Sequence, residues 1–228
     1  PEFSQVDKPI PLKEALKATL TNKNFIIFDI ANFMAVFMFS ICMGAIFYVS
    51  DYVTQSSSLY ILAALFIPLA ISVPLTKYAL KRFESVGTFQ VYMVICGVGL
   101  LMTALLPPAW IYLGMAVVGF GYAGILVGLN LSLGTIIDED EVRTGVRREG
   151  SYFGANALIT KPAESIAAPL TAAVLAATGF ITRESNAGQI FLNQPESAIW
   201  GIRMIIGLIR GIAMMVGAAV LLFLQIGR

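Results

Sequence analysis

The sequence contains no histidine, and only 13% of its 228 residues are charged. The first absence removes the commonest general base and the commonest metal ligand. The second excludes more. A soluble domain carries about 25% charged residues, so this chain has too little polar surface to cover a water-facing globule. Cysteine is nearly absent as well. Cys42 and Cys96 both sit inside apolar runs without CxxC spacing, which reads as two small buried hydrophobes, not a disulfide or a metal site. A net charge of +1 argues against nucleic acid as a partner. No resident cofactor or metal is expected.

What the chain has instead is apolar length. Hydrophobic residues make up 57% of it, and the mean hydropathy is +0.80. A spanning helix needs about 20 mostly apolar residues, and six segments meet this: Phe25–Val49, Leu59–Leu80, Val86–Leu106, Trp110–Ile137, Tyr152–Phe180 and Ile199–Ile226. The connections carry turn chemistry at Ser56-Ser57-Ser58, at Pro107-Pro108 and along the charged run Asp138 to Gly150. The fold class is therefore an all-α membrane protein with six transmembrane helices, residues 24–228, and the lipid bilayer is its solvent. Residues 1–23 read as a polar lead-in. Within it Leu12, Ala15, Leu16 and Leu20 share a face opposite Lys13 and Lys17, as in a helix lying at the interface. The chain begins Pro1-Glu2-Phe3 and no signal-peptide pattern follows, so it is expected to be part of a longer protein.

Basic residues predict the orientation. With the N-terminus inside, Lys8, Lys13, Lys17, Lys23, Lys77, Lys81, Arg82, Arg143, Arg147, Arg148 and Arg228 are all cytoplasmic. Only Arg183 lies clearly outside, with Arg203 at a helix edge. This asymmetry obeys the positive-inside rule and puts both termini in the cytoplasm of a multi-pass protein, expected in the cell membrane. Trp110 and Trp200 then fall at the outer interface, where amphipathic rings collect.

Small residues mark where helices should touch: Gly119, Gly121, Gly124 and Gly128 in the fourth span, Gly207 and Gly211 in the sixth. Pro68 and Pro74 in the second span, and Pro162 and Pro169 in the fifth, should bend those helices and free backbone carbonyls.

Charge at bilayer depth is expensive, by about 2.5–3.5 kcal/mol on insertion scales, and asks for an explanation. Lys161 and Glu164 lie near mid-membrane in the fifth span, three residues apart and so on one face. Arg210 is equally deep in the sixth span, and Asp29 stands in the first with Asn32 a turn further on. Asn130 and Asn156 add neutral hydrogen-bonding groups at similar depth. Two readings stand. The two acids and two bases form a self-neutralising structural network, or Lys161 and Glu164, together with Asn156, Asn130, Arg210 and Asp29, line a water-filled pathway and respond to a cation or a polar substrate. For Asp29, snorkelling to the cytoplasmic interface is a further alternative.

The stretch DEDEVRTGVRREGSYFGANALITK, from Asp138 to Lys161, is the most specific text in the chain. It resembles the loop between the tenth and eleventh helices of the glycoside–pentoside–hexuronide:cation symporters, the melibiose-permease-like branch of the major facilitator superfamily. The matching positions are Asp138, Asp140, Glu141, Thr144, Gly145, Arg147, Arg148, Glu149, Gly150, Tyr152 and Lys161. The Gly201-Ile202-Arg203 opening of the last span and the lead-in Leu12 to Asn22 are also similar to that family's C-terminal half.

The resemblance implies that the spans are helices seven to twelve of a twelve-helix transporter, two inverted three-helix repeats. It implies an N-terminal six-helix bundle as partner and a small-molecule substrate of sugar type bound between the halves. It also implies Na⁺ or H⁺ as coupling ion, held mainly by the missing half. Lys161 would point at the cation and substrate region. Asp138, Asp140, Glu141, Arg147, Arg148 and Glu149 would hold a cytoplasmic gate, an ordinary topology-setting charge run being the alternative.

The chain departs from the family at Pro162 and Glu164 after the lysine, at Arg210, and at Leu126, where an aromatic is usual. A lysolipid is therefore a second substrate class. A membrane-embedded enzyme lacks a nucleophile–base pair at depth, so none is expected. A channel or interaction subunit would be favoured if all the deep charges paired inside the bundle.

Overall fold

The computed structural model describes residues 12–182 and 191–224. The lead-in up to residue 11 with Lys8, Arg183 and the C-terminal Arg228 lie outside the described residues, as do the side chains of Leu12, Lys13 and Ala15. Among the described residues there are eight α-helices and no strand.

Helix α1, Leu12–Thr21, is the short amphipathic lead-in. Leu16 packs against the core and Thr19 is buried, while Leu20 is exposed beside Lys17. The protein-facing edge is thus narrower than the sequence pattern suggested. Asn22 then caps α2, Lys23–Tyr48, its side-chain oxygen accepting from the backbone N–H groups of Asn24 and Phe25. A π-helical turn, Val49–Val53, extends this span past its expected end.

Helix α3, Ser58–Leu80, is capped by Ser57 and contains Pro68 and Pro74. Helix α4 runs Ser85–Leu105, and α5 runs Ile111–Thr144 after a short 3-10 turn at Pro108–Trp110. Helix α6, Glu149–Ala177, contains Pro162 and Pro169. The last span is composite: α7, Glu196–Arg203, a π-helical turn at Met204–Leu208, and α8, Ile209–Val220.

The charged run after the fourth span is mostly not a loop. Helix α5 continues through Asp138, Asp140 and Glu141 to Thr144, where the i,i+3 pair of Asp140 and Arg143 supports the last turn. Gly145 ends it in the left-handed region, φ 71°, where a side chain would be strained. Only residues 145–148 connect α5 to α6.

Five helical spans among the described residues are long and apolar enough to cross a membrane: Lys23–Val53, Ser58–Leu80, Ser85–Leu105, Pro108–Thr144 and Glu196–Phe223. Helix α6 has the length, 29 residues, but is more polar, since it carries Lys161 and Glu164 in its middle.

The principal packing partners run in the order α3, α5, α4, α8, α2, α6. Helices α3 and α6 therefore have one main neighbour each and leave broad faces uncovered. Phe66, Ile67, Ile71 and Leu75 are exposed on α3, and Phe153, Leu158 and Ile166 on α6.

Glycine sets the closeness of the inner contacts. A Cβ at Gly119 would strike the carbonyl of Leu65 on α3, and one at Gly124 would enter the Tyr92 ring on α4. At Gly121 it would lie 2.6 Å from the Cys96 nitrogen. Gly207 meets the Leu100 carbonyl oxygen and Gly211 the Leu101 side chain, so the glycine seams are helix contacts. Gly99 and Gly114 extend the α4–α5 seam from the other side.

Replacing Gly119 by alanine forces α3 and α5 apart and should lower stability by about 1–3 kcal/mol. Gly134→Ala, where nothing lies within 4 Å of the added carbon, should leave the thermal unfolding midpoint in detergent unchanged or slightly higher.

Candidate functional site

Lys161 lies twelve residues into α6, roughly 18 Å along its axis and so near the middle of that helix. Its Nζ donates to both oxygens of Glu164, at 2.9 and 3.1 Å. The three-residue spacing on one helix face makes this pair almost automatic. Its position is the informative part: the side chains are 69% and 50% exposed, outside the bundle core. An ion pair presented to hydrocarbon loses its hydration without protein dipoles to replace it. This face of α6 therefore needs water or further protein against it.

One turn before Lys161, the Asn156 side-chain oxygen accepts from Asn32 of α2 at 2.6 Å. The Thr160 hydroxyl donates to the Asn156 carbonyl at 2.8 Å, and Ser165 donates to that of Lys161 at 3.4 Å. The amide bridge fixes α6 against α2 while leaving the lysine on the outer side. Asn130 is exposed on α5 and donates only to the carbonyl of Leu126, one turn earlier and also exposed.

The remaining deep charges do not join Lys161 and Glu164, so the self-neutralising network allowed by the sequence does not form. Asp29 is buried two turns into α2, where covering helices leave no room for snorkelling. Neither of its oxygens has a hydrogen-bond donor among the described residues.

Arg210 is fully buried in the packing core, apart from the exposed face of α6. It donates to the carbonyl of Ile206 at 2.6 Å and to the sulfur of Met38 at 3.3 Å. Among the described residues it has no carboxylate partner. The π-helical turn just before it loosens the regular backbone ladder there.

A second constellation sits where α5 hands over to α6. Asp140 is 2% exposed and takes Arg148, itself only 11% exposed, at 2.5 Å. Arg143 reaches the other oxygen of Asp140 at 3.1 Å. On the outside, the Arg147 guanidinium gathers Glu141 at 2.7 Å, Asp138 at 3.1 Å and Glu149 at 3.2 Å. Hydrogen bonds from Arg147 to Glu141, then Glu149 and Asp138, push that guanidinium above its already high ordinary value. It stays charged at any working pH, and the cluster loosens only when its carboxylates find other partners.

The sequence placed all six of these residues together, but it missed the neighbours that tie them to α2. Asn24 donates to Glu139 at 2.9 Å, and Asn22 donates to the Tyr152 hydroxyl at 2.8 Å. The Phe25 ring meets the Tyr152 ring edge-on with centroids 5.1 Å apart. The Asn22 cap was the available signal; nothing local marks Asn24 or Glu139.

The arrangement is a helical membrane bundle with an uncovered α6 face, one ion pair set among apolar side chains, and a salt-bridged hairpin at one end. A family model described as MFS/sugar transport protein matches residues 2–228. A protein of Synechocystis sp. described as an uncharacterized symporter is 32% identical over 93 residues, which is 41% of this chain. The matched stretch spans only 17% of that relative's length. The structure is that of a multi-pass membrane protein, and the match runs over nearly its whole length: the chain belongs to the MFS/sugar transport protein family of the major facilitator superfamily.

Proposed function

We propose that this chain is the C-terminal six-helix half of a secondary active transporter, helices seven to twelve, and not an enzyme. It carries a sugar or glycoside together with Na⁺ or H⁺ by alternating access between two bundles. The observation that carries this reading is the exposed Lys161–Glu164 pair at mid-depth on α6. A charged pair facing outward there is tolerable only beside a water-filled pathway or a second bundle, and two bundles with a pathway between them supply both.

In this reading Lys161, Glu164, Asn156 and Asn130 face the substrate and ion route, with Asp29 behind them. The coupling-ion site lies mainly in the N-terminal six helices. Arg210 serves helix packing. Both termini are cytoplasmic in the cell membrane, which agrees with the basic residues around the α5–α6 hairpin and at the end of α3.

The hairpin cluster acts as the cytoplasmic gate in two parts. The nearly buried Asp140–Arg148 pair holds the hairpin rigid. The exposed Arg147 hub, shared among three carboxylates, is the member able to exchange partners as the bundles rock.

A lysolipid substrate is the second reading. It is favoured by the exposed Leu126 beside Asn130, an apolar and a polar contact within one turn, and by the lack of a tryptophan at this depth.

In the complete protein, Lys161→Ala and Glu164→Gln should each cut the initial rate of cation-dependent uptake at least tenfold at normal expression. Full uptake in both variants would reduce the pair to a structural role. Asp140→Asn leaves Arg148 nearly buried and unpaired, and should cost about 3–5 kcal/mol of stability. Arg147→Ala should scarcely move the melting temperature while altering transport rate. A thermal shift series beside uptake kinetics separates the two parts of the cluster.

A further inference from the structure

A groove of about 520 Å³ opens between the C-terminal end of α3 and the start of α4, lined by Ala79, Phe83, Glu84, Gly87, Thr88, Val91 and Tyr92. Its wall is almost wholly apolar, and a Cβ built at Gly87 meets nothing within 4 Å. The Thr88 hydroxyl is buried and has no hydrogen-bond partner. Beside the groove's Ala79 and Phe83 in the chain, Lys77, Lys81 and Arg82 are exposed, and none forms an ion pair with a described residue. The Arg82 guanidinium stacks over Tyr78, 5.3 Å from its ring centre. Glu84, an acid in the groove wall itself, is outnumbered by these three cations, so the stretch 77–84 keeps an excess of positive charge.

We propose that this groove is a binding site for one anionic phospholipid. The order of chemistry from the α3–α4 connection into α4 matches the order along a lipid. The cations on residues 81–82 lie at the membrane–water boundary, where a phosphate sits. One turn deeper the groove turns apolar, and Gly87, Val91 and Tyr92 give an acyl chain its wall.

Transferring an acyl chain from bilayer to groove yields little hydrophobic gain, because lipid tails are already apolar surroundings. Selectivity must then come from the headgroup, where each basic residue contributes about fivefold at a membrane surface. The site depends only on the chain being in a membrane, so its test is independent of the transport reading.

The test uses the complete protein in nanodiscs of phosphatidylcholine containing phosphatidylglycerol, extracted and examined by native mass spectrometry. Retained phosphatidylglycerol should exceed its share in the disc. Lys81→Ala with Arg82→Ala should lower that preference about 25-fold if the two act independently. Gly87→Leu, whose Cβ meets nothing within 4 Å, should reduce retention of both lipids, with correct folding checked by an unchanged melting temperature. Equal retention of the two lipids by the unaltered protein, or a preference that survives the double substitution, would overturn the proposal. So would a photocrosslinker at position 87 that labels protein in place of lipid.

Discussion

A lysine and a glutamate in the middle of a membrane helix, bonded to each other and pointing away from their own bundle, constrain everything else in this chain. In a soluble protein such a pair would be an ordinary surface contact worth little. At bilayer depth its hydration cannot be replaced by lipid, so the pair dictates what must lie opposite. The rest of the architecture is arranged so that this face stays open. Helix α6 has one main neighbour, α2, and the Asn32–Asn156 bridge holds it there by a neutral contact that leaves the charges outside.

The interior has the reverse character. Glycines on α5 bring α3 and α4 into backbone contact on its two sides, and glycines in the last span do the same against α4. Contacts at that distance resist sliding, because no flexible side chain lies between the helices to absorb displacement. The buried Asp140–Arg148 pair and the Asn22–Tyr152 bond stiffen the end where α5, α6 and α2 meet. A bundle built this way resists deformation within itself. The groups free to change partners are those left on its surface: the Arg147 cluster and the Lys161–Glu164 pair.

Much of this was legible in the sequence, and the limits have identifiable causes. Apolar length and the scarcity of charge defined the six spans, because lipid imposes one dominant requirement on each segment. The Lys161–Glu164 pair followed from helical spacing. The six charges from Asp138 to Glu149 are neighbours in the chain and in ion pairs alike, though α5 extends seven residues into what read as a loop. The fate of Arg210 was not legible. Charge balance suggested a partner among Asp29 and Glu164, but depth along a helix does not tell which way a side chain points. Arg210 turns inward to a carbonyl and a methionine sulfur. The bonds of Asn24 and Asn22 to distant residues were equally hidden, since they depend on how three helix ends converge.

The central claim, that the α6 face opens onto an aqueous route and not onto lipid, is tested most directly by thiol labelling in the complete protein. Cys42 and Cys96 are buried and give little background. Ser165→Cys, exposed one turn beyond Lys161, should react with a charged, membrane-impermeant thiol reagent and be protected by substrate. Val98→Cys, exposed on α4 away from that face, should remain unlabelled. If cysteine at 165 proves as inert as cysteine at 98, with and without substrate and cation, the pair faces no water and the account fails.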